Sequence, residues 1–447
     1  MNPIKPIGMM IIALALAITP AADGAAQSPF PLVAAPDGRH LVDAAGRPFF
    51  IHGDAAWSLI AQLRREDVDF YFSDRRARGF NAILVSLIEH KYASHPPRNA
   101  YGTEPFLNPG DFLAPNEAYF AHADWVLRRA AEEGFLVLLT PAYAGFKGGD
   151  AGWYREMRAA GPGRLRLYGE YLGRRYASFP NILWVNGGDY DPPQEALVRA
   201  LAEGIRANAP TALQTLHGSP GFASLDKWAH EEWLQVNAVY TYGSIARTMA
   251  EQQRQPRKMP SLLIESAYEN EQDSTPAQLR SQAYQALVMG AAGHVFGNNP
   301  IWHFDGPGIY DTSLTWKQAL DSPGARSMGH LAALTKEIDW WHLRPCETGW
   351  LLVEGGGLHL SKAVAAMNED RTFALVYVPG RQRLVINLNR FSGSTITGRW
   401  YDPTSGRFMP VADSPFPANG YRPFRANPPA NASGDDDWVL LLNSQPY

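Results

Sequence analysis

From residue 49 to residue 341, short unbroken apolar runs alternate with stretches of helical spacing. Phe49–Asp54 is the first strand-like run, and Glu66–Arg78 follows with Val68, Tyr71 and Phe72 on one helical face. Ala82–Ile88 gives a second strand, then a long loop rich in Pro, Asn and Gly runs from Glu89 to Ala114. Pro115-Asn116-Glu117 opens a helix to Glu133, with Asn116 as its N-cap and Gly134 as its stop. Phe135–Thr140 is paired with a helix at Leu165–Ser178, and Ile182–Val185 with one at Pro193–Asn208. A weaker run at Ala212–Leu216 and another at Val236–Tyr240 come next. Leu262–Ile264 with Pro276–Met289, and Gly293–Phe296 with Ser327–Trp341, complete the series. Continuous rather than alternating runs are what parallel strands covered on both faces require. Eight such units predict an α/β chain folded as a (β/α)8 TIM barrel. The competing architecture, a doubly wound open sheet, usually carries a Gly-rich phosphate loop after its first strand. This chain has His52-Gly-Asp-Ala-Ala-Trp57 there instead.

Ahead of the barrel, Leu32–Pro48 reads as a short hairpin with turns at Pro36-Asp37-Gly38 and Ala45-Gly46, suited to capping the barrel's bottom. From about Pro345 the pattern changes to short β-type runs at Phe373–Val378, Leu384–Leu388, Thr397–Tyr401 and Trp438–Leu442. Turns such as Asp402-Pro-Thr-Ser-Gly406 separate them, which predicts a small antiparallel β-sandwich of about 100 residues. The expected domains are residues 27–344 and 345–447. Residues 1–26 read as an export signal: Lys5, the apolar run Met9–Ile18, then small residues from Ala21 to Ala26. The expectation is therefore a secreted or periplasmic protein. The apolar run is too short to span a bilayer, so no stable membrane insertion follows cleavage; an uncleaved anchor is the alternative.

Composition narrows the partners. A net charge of −4 and a pI near 6.3 give no electrostatic footprint for nucleic acid. Cys346 is the sole cysteine, so an intrachain disulfide is impossible and stability must come from the core. The 13 Trp residues serve mainly as core, but rings near a barrel mouth also offer flat faces for sugars.

Two carboxylates end strand-like runs. Asp189 closes Asn181-Ile-Leu-Trp-Val-Asn-Gly-Gly-Asp189, where Gly187-Gly188 permit a sharp turn; Glu265 closes Ser261-Leu-Leu-Ile-Glu265. On strands four and seven of a barrel, both face the C-terminal mouth, where barrel enzymes do their chemistry. Such a pair can cleave a glycosidic bond. Asp191, before Pro192-Pro193, fits a turn or cap better. Other polar or aromatic residues fall at or after strand ends and are expected to bind substrate: His52, Asp54, Trp57, Glu89, Tyr143, His217, Tyr242, Glu269, Asn299 and Trp302. His90, Tyr240, Asn298 and His303 lie in comparable positions, and the loop Glu89–Ala114 is expected to wall the pocket. No His-Glu-x-x-His, Cys pair, acidic calcium loop or Gly-x-Ser-x-Gly elbow is present. A metal-dependent hydrolase would instead need His52, His90, His217 and His294 or His303 to converge. No cofactor is implied.

Together these segments resemble the apiosidase-like glycoside hydrolases, a barrel family of the retaining clan A type. The resemblance runs through Pro48–Trp57, Asn99–Gly102, Pro115–Phe120, Asn181–Asp189, Leu262–Glu269 and Phe296–Trp302. The tail, with Trp400–Gly406 and Asp437–Leu440, resembles the collagen-binding-like β domain that often follows. The resemblance implies that Asp189 is the general acid/base and Glu265 the nucleophile, acting on an oligo- or polysaccharide. Apiose linkages in complex pectin are the family's characterised activity. There are two departures, the first of which bears on the substrate more than on the reaction. Ile-Glu265-Ser stands where the family commonly has Gly-Glu-Pro, and Gly188 stands where most clan A enzymes have Asn. The expected function is a retaining glycoside hydrolase acting on a plant or microbial polysaccharide. The alternative is a secreted carbohydrate-binding barrel that has lost catalysis.

Overall fold

Eight strands follow one another in parallel around the centre of the molecule: β1 Ile51–Ala55, β2 Ala82–Ser86, β3 Leu136–Thr140, β4 Ile182–Gly187, β5 Leu213–His217, β6 Asn237–Tyr240, β7 Ser261–Glu265 and β8 Gly293–Phe296. The computed structural model describes residues 28–445 apart from Gln382, so the export signal read in residues 1–26 lies outside the described residues. Ladders join β1 through β5 in order, and β1 to β8, β7 and β6 on the other side. The seam between β5 and β6 is bridged differently. The N–H groups of Gln235 and Val236 donate to the Gln214 carbonyl at 3.0 and 3.2 Å, and Thr215 Oγ1 donates to the Val236 carbonyl at 2.6 Å. The sheet thereby comes round on itself as a TIM-like barrel. A ninth strand, Phe222–Ala223, pairs antiparallel with β6.

Every residue of the eight strands is buried, which is why their sequences read as unbroken apolar runs. Alternate side chains feed two cores. Ile51, Leu84, Leu138, Leu183, Leu262 and Val295 fill the barrel interior, whereas Ile83, Val137, Leu139, Ile182 and Leu263 pack outward under the helices. The N-terminal hairpin forms a three-stranded sheet that includes Pro48–Phe49, so β1 begins later than the apolar run suggests. Phe30, Leu32 and Leu41 join the interior cluster beside Ile51, Ala82 and Leu136 and plug the bottom of the barrel.

Besides the single turns Leu59–Gln62 and Trp316–Ala319, the helices among the described residues are α1 Arg65–Ala77, α2 Glu117–Glu132, α3 Tyr154–Tyr176, α4 Glu195–Asn208, α5 Ser224–Trp228, α6 Ile245–Gln253, α7 Pro276–Val288 and α8 Pro323–Glu337. The Asn116 side chain caps α2 by accepting from Ala118 N–H, as its position in the sequence predicts. α3 is two helical segments run together: Gly161 (φ 73°) is non-helical and kinks the chain, and the segment that follows Pro162 contains the helix expected from Leu165. α8 starts before the expected Ser327, capped by Ser322 with Pro323 in its first turn, and ends ahead of the short turn Trp340–His342. α5 and α6 show too few apolar positions to stand out in the sequence.

The C-terminal region contains a seven-stranded and a three-stranded antiparallel sheet. The strand Leu343–Pro345 crosses the expected domain boundary and forms an edge of the larger sheet. One face of that sheet, with Ala365, Met367, Val376 and Leu440, shares a core with Leu384, Ile386 and Phe424 of the smaller sheet. The other face, with Val364, Ala366, Leu375 and Tyr377, continues the barrel's outer core. α7 lies at this junction and is buried almost all round. Its Arg280 is 1% exposed and donates to Asp437 at 2.7 and 2.8 Å and to Asp435 at 2.7 Å. One turn on, Tyr284 stacks on Tyr377 at 5.1 Å. Replacing Arg280 with Met should leave Asp437 as a buried unpaired charge and destabilise the fold by about 3–5 kcal/mol. Denaturant unfolding would register this as a lowered midpoint, and an unchanged midpoint would show that the pair contributes nothing to docking.

Candidate active site

A cavity of about 640 Å³ opens at the C-terminal ends of the barrel strands. Asp189 and Glu265 both line it, and so do Trp57, Glu89, Tyr143, Tyr242 and Trp302. The backbone explains the position of Asp189. Gly187 (φ 81°), Gly188 (φ 122°) and Asp189 (φ 55°) are consecutive left-handed residues that turn the chain sharply as β4 ends. A Cβ on Gly188 would come within 2.3 Å of the Tyr143 ring, so glycine also makes room for that ring. Tyr143 donates its hydroxyl to Asp189 Oδ2 at 3.1 Å. On the opposite side, a register shift between Val239 and Tyr240 aligns Tyr240 with Glu265 at the mouth.

His217, at the end of β5, is fully buried and bridges the two sides. Its Nδ1 lies 2.9 Å from the Asp189 backbone N–H, and its Nε2 lies 2.6 Å from Glu265 Oε2. A backbone N–H can only donate, so Nδ1 must present a lone pair. The ring is therefore the neutral Nε2–H tautomer, and that N–H donates to Glu265. The Trp57 ring meets His217 edge-on at 5.7 Å and the Tyr240 ring lies 5.0 Å away, which fixes the orientation of the imidazole. Burial pushes the Glu265 carboxyl above the usual glutamate range, while hydrogen bonds from His217 and Tyr268 oppose the rise by favouring the charged form. Tyr268 in turn accepts from Trp57 Nε1 at 3.0 Å. Glu265 is thus set up as a hydrogen-bonded carboxylate, and Asp189 as a second carboxyl group across the same cavity. The two can divide the roles of nucleophile and proton donor between them.

Five residues expected to bind substrate lie outside the cavity lining: His217, buried between the two carboxylate-bearing strand ends, and His52, Asp54, Glu269 and Asn299. His52 and Asp54 are within β1 and point outward, because side chains alternate along a strand and Ile51 and Ala55 take the interior. His52 stacks on Phe80 at 4.7 Å and its Nδ1 pairs with His294 Nε2 at 2.9 Å. Asp54 accepts from Tyr71 at 2.7 Å beside the buried Arg75, and burial pushes its carboxyl up to about 6. Glu269 caps α8: its carboxylate accepts from Gly324 N–H at 2.7 Å, Ser322 Oγ at 2.5 Å and Asn298 at 3.0 Å. Asn299 supports the wall from behind, donating to the Tyr310 carbonyl at 3.0 Å and pairing with His303 at 2.7 Å.

His90 engages the Asp150 carbonyl and Glu156 beside a separate cavity of about 270 Å³. The histidines weighed as metal ligands therefore do not converge, and among the described residues no group of three or more His, Cys, Asp or Glu can hold a metal ion. From the Glu89–Ala114 loop, His90, Pro97, Glu104, Pro105, Phe106, Pro109 and Gly110 border that second cavity, and only Glu89, Lys91 and Tyr92 line the first. Its other walls come from Phe146–Ala151, Tyr268–Gln272 and Gly308–Tyr310. Tyr268 and Glu271 were legible in principle, since both lie in the loop after β7 that must line the mouth. Gly308, Ile309 and Tyr310 left no signal, being far from any strand end in sequence.

A family model described as "Apiosidase-like, catalytic domain" matches residues 35–342. A second, described as "Putative collagen-binding domain of a collagenase", matches residues 350–443. Among solved structures, a glycoside hydrolase superposes with a TM-score of 0.82 at 23% identity, over 94% of this chain and 98% of its own. A glycoside hydrolase family 5 protein from Bacteroides vulgatus gives 0.81 at 23% identity, over 94% of this chain and 96% of its own. The endo-1,4-beta-mannanase from Rhizomucor miehei gives 0.51 at 13% identity, over 68% of this chain and 99% of its own. At these identities the structures speak to the barrel fold alone. No curated protein matches the chain. With a catalytic-domain model matched across the barrel from residue 35 to residue 342, the chain belongs to the apiosidase-like family and is a glycoside hydrolase.

Proposed function

We propose that this glycoside hydrolase is a retaining enzyme, secreted or periplasmic, that cleaves a linkage in a plant or microbial polysaccharide by double displacement. A pectic apioside is the first substrate to try. The observation that carries the reading is that Asp189 and Glu265 line one cavity and are tied to opposite nitrogens of a single imidazole. In the first step Glu265 attacks the anomeric carbon while Asp189 gives its proton to the departing oxygen. In the second, Asp189 takes a proton from water, whose oxygen displaces Glu265 and frees the sugar. The rings of Trp57, Tyr143, Tyr242 and Trp302 offer faces and hydroxyls suited to a sugar. The export reading rests on residues 1–26 of the sequence.

Reducing-sugar release should be measured on pectic oligosaccharides and aryl glycosides, apiosides and arabinosides included. Asp189→Ala should lower kcat by about 10²–10⁴-fold. Glu265→Ala should lower it at least as far, and Glu265→Gln should still bind glycan without turning it over. Full activity in either alanine variant would remove the pair from the mechanism, and loss of parent activity to a chelator would favour metal chemistry instead.

The acidic limb of the pH profile gives a separate check. Glu265 must be charged to attack, and its pKa is raised above the ordinary 4.5. Activity should therefore be lost, as pH falls, at a pH above 4.5. His217→Ala removes a donor to the carboxylate, so the limb should move to still higher pH and kcat/KM should drop about 10- to 100-fold. A limb that stays in position would mean that His217 does not stabilise the charged form.

A further inference from the structure

No helix or strand interrupts the chain between Ser86, at the end of β2, and Glu117, at the start of α2. Loops longer than about 12–15 residues without secondary structure are uncommon in compact domains and usually functional. The catalytic cavity uses only Glu89, Lys91 and Tyr92 of this one. The remainder is packed into a shape of its own. Phe106 and Phe112 meet at 5.1 Å, and their rings lie 5.6 and 6.3 Å from Trp153. The concave part of that shape is the second cavity, of about 270 Å³. Sites for small ligands begin at about that size.

The two cavities share a wall. His90 lines the second, while its chain neighbours Glu89 and Lys91 line the first. Asp150 completes the wall from the loop after β3. Its carboxylate meets Lys91 at 3.4 Å, and its carbonyl accepts from His90 Nδ1 at 3.1 Å.

The lining of the second cavity combines acceptors with apolar rings. A carbonyl can only accept, so His90 Nδ1 carries a proton, and a neutral ring turns the lone pair of Nε2 toward Glu156 Oε1, 3.3 Å away. That contact lacks a donor, which a ligand hydroxyl would supply. Glu104 accepts from Arg98 through Oε1 at 3.1 Å, and among the described residues nothing donates to its Oε2. Both glutamate side chains are 32% exposed, so both are open to a ligand. Phe106, Trp153 and the rings of Pro97, Pro105 and Pro109 supply the apolar surface. A sugar answers this lining, since its hydroxyls donate and its C–H face is apolar.

We propose that the second cavity is a distal subsite, which holds a glycosyl unit of the same oligosaccharide whose scissile bond lies in the catalytic cavity, with Glu104 and Glu156 accepting from its hydroxyls. This rests on the proposed hydrolase reading, because one substrate then crosses the His90–Asp150 wall to fill both cavities.

The test compares a pectic oligosaccharide with the methyl glycoside of the unit it releases, which is too short to cross the wall. Turnover of both is measured in the parent, in Glu104→Ala, and in the double variant that adds Glu156→Ala. The ratio of kcat/KM for the oligosaccharide to that for the methyl glycoside should fall several-fold in Glu104→Ala and at least about tenfold in the double variant, through KM. Because the ratio is internal to each variant, a general loss of activity cannot imitate that result. An unchanged ratio overturns the inference. So does a fall that appears only when Glu156 is replaced, since Glu104 has no contact with the wall and Glu156 touches it through His90. Binding of the oligosaccharide to Glu265→Gln, followed by calorimetry with and without the two alanines, separates the two readings. If nothing is turned over but the alanines weaken this binding, the hydrolytic reading fails and the subsite stands. Binding that the alanines leave unchanged removes the subsite alone, and no binding at all removes both.

Discussion

A buried imidazole with a backbone N–H at one nitrogen and a carboxylate at the other can hold only one proton arrangement. His217 is in that position, between the end of β4 and the end of β7. Because its tautomer is fixed by the Asp189 main chain, its Nε2–H is committed to Glu265 and favours the charged carboxylate in a site that otherwise resists charge. The left-handed run from Gly187 to Asp189 has a clear purpose in this light. It delivers the Asp189 N–H to the imidazole and the Asp189 side chain to the cavity in one turn of the chain.

The rest of the structure keeps those strand ends in register. The β-barrel is filled from below by the hairpin residues Phe30, Leu32 and Leu41, and its outer face is covered by helices. The C-terminal sheets grip α7, the helix that follows β7, through the Arg280–Asp437 pair and the Tyr284–Tyr377 stack. Above β8, Asn299 holds the chain that carries Tyr310, whose hydroxyl accepts from Gln272 at 2.5 Å. Loops after β7 and β8 are thereby joined at the cavity rim, and Glu271 and Trp302 are linked beneath them.

The errors in reading the site from the sequence share a cause. His52 and Asp54 lie within a strand, where alternation sends every second side chain to the helix layer, whereas Trp57 lies beyond the strand end and reaches the mouth. Glu269 follows the end of β7, where a substrate-binding residue is expected, but the N-terminus of α8 needs an acceptor and takes that carboxylate; Glu271, two residues on, faces the cavity. In each case the residue type was informative and the direction of the side chain was not.

The sequence by itself determined the order of the strands, the change to antiparallel sheets near Pro345, and two carboxylates at strand ends. These features are local: apolar runs, helix caps and Gly-Gly turns act within a few residues of one another. Only the tertiary structure decided which polar groups share a cavity and which of them pair with one another instead. His217, Glu265 and the Asp189 backbone come from three strands, and Trp302 and Glu271 from two loops. Their hydrogen bonds form only once the barrel has closed and excluded water, because the partners are far apart in sequence and neither periodicity nor spacing encodes the contact.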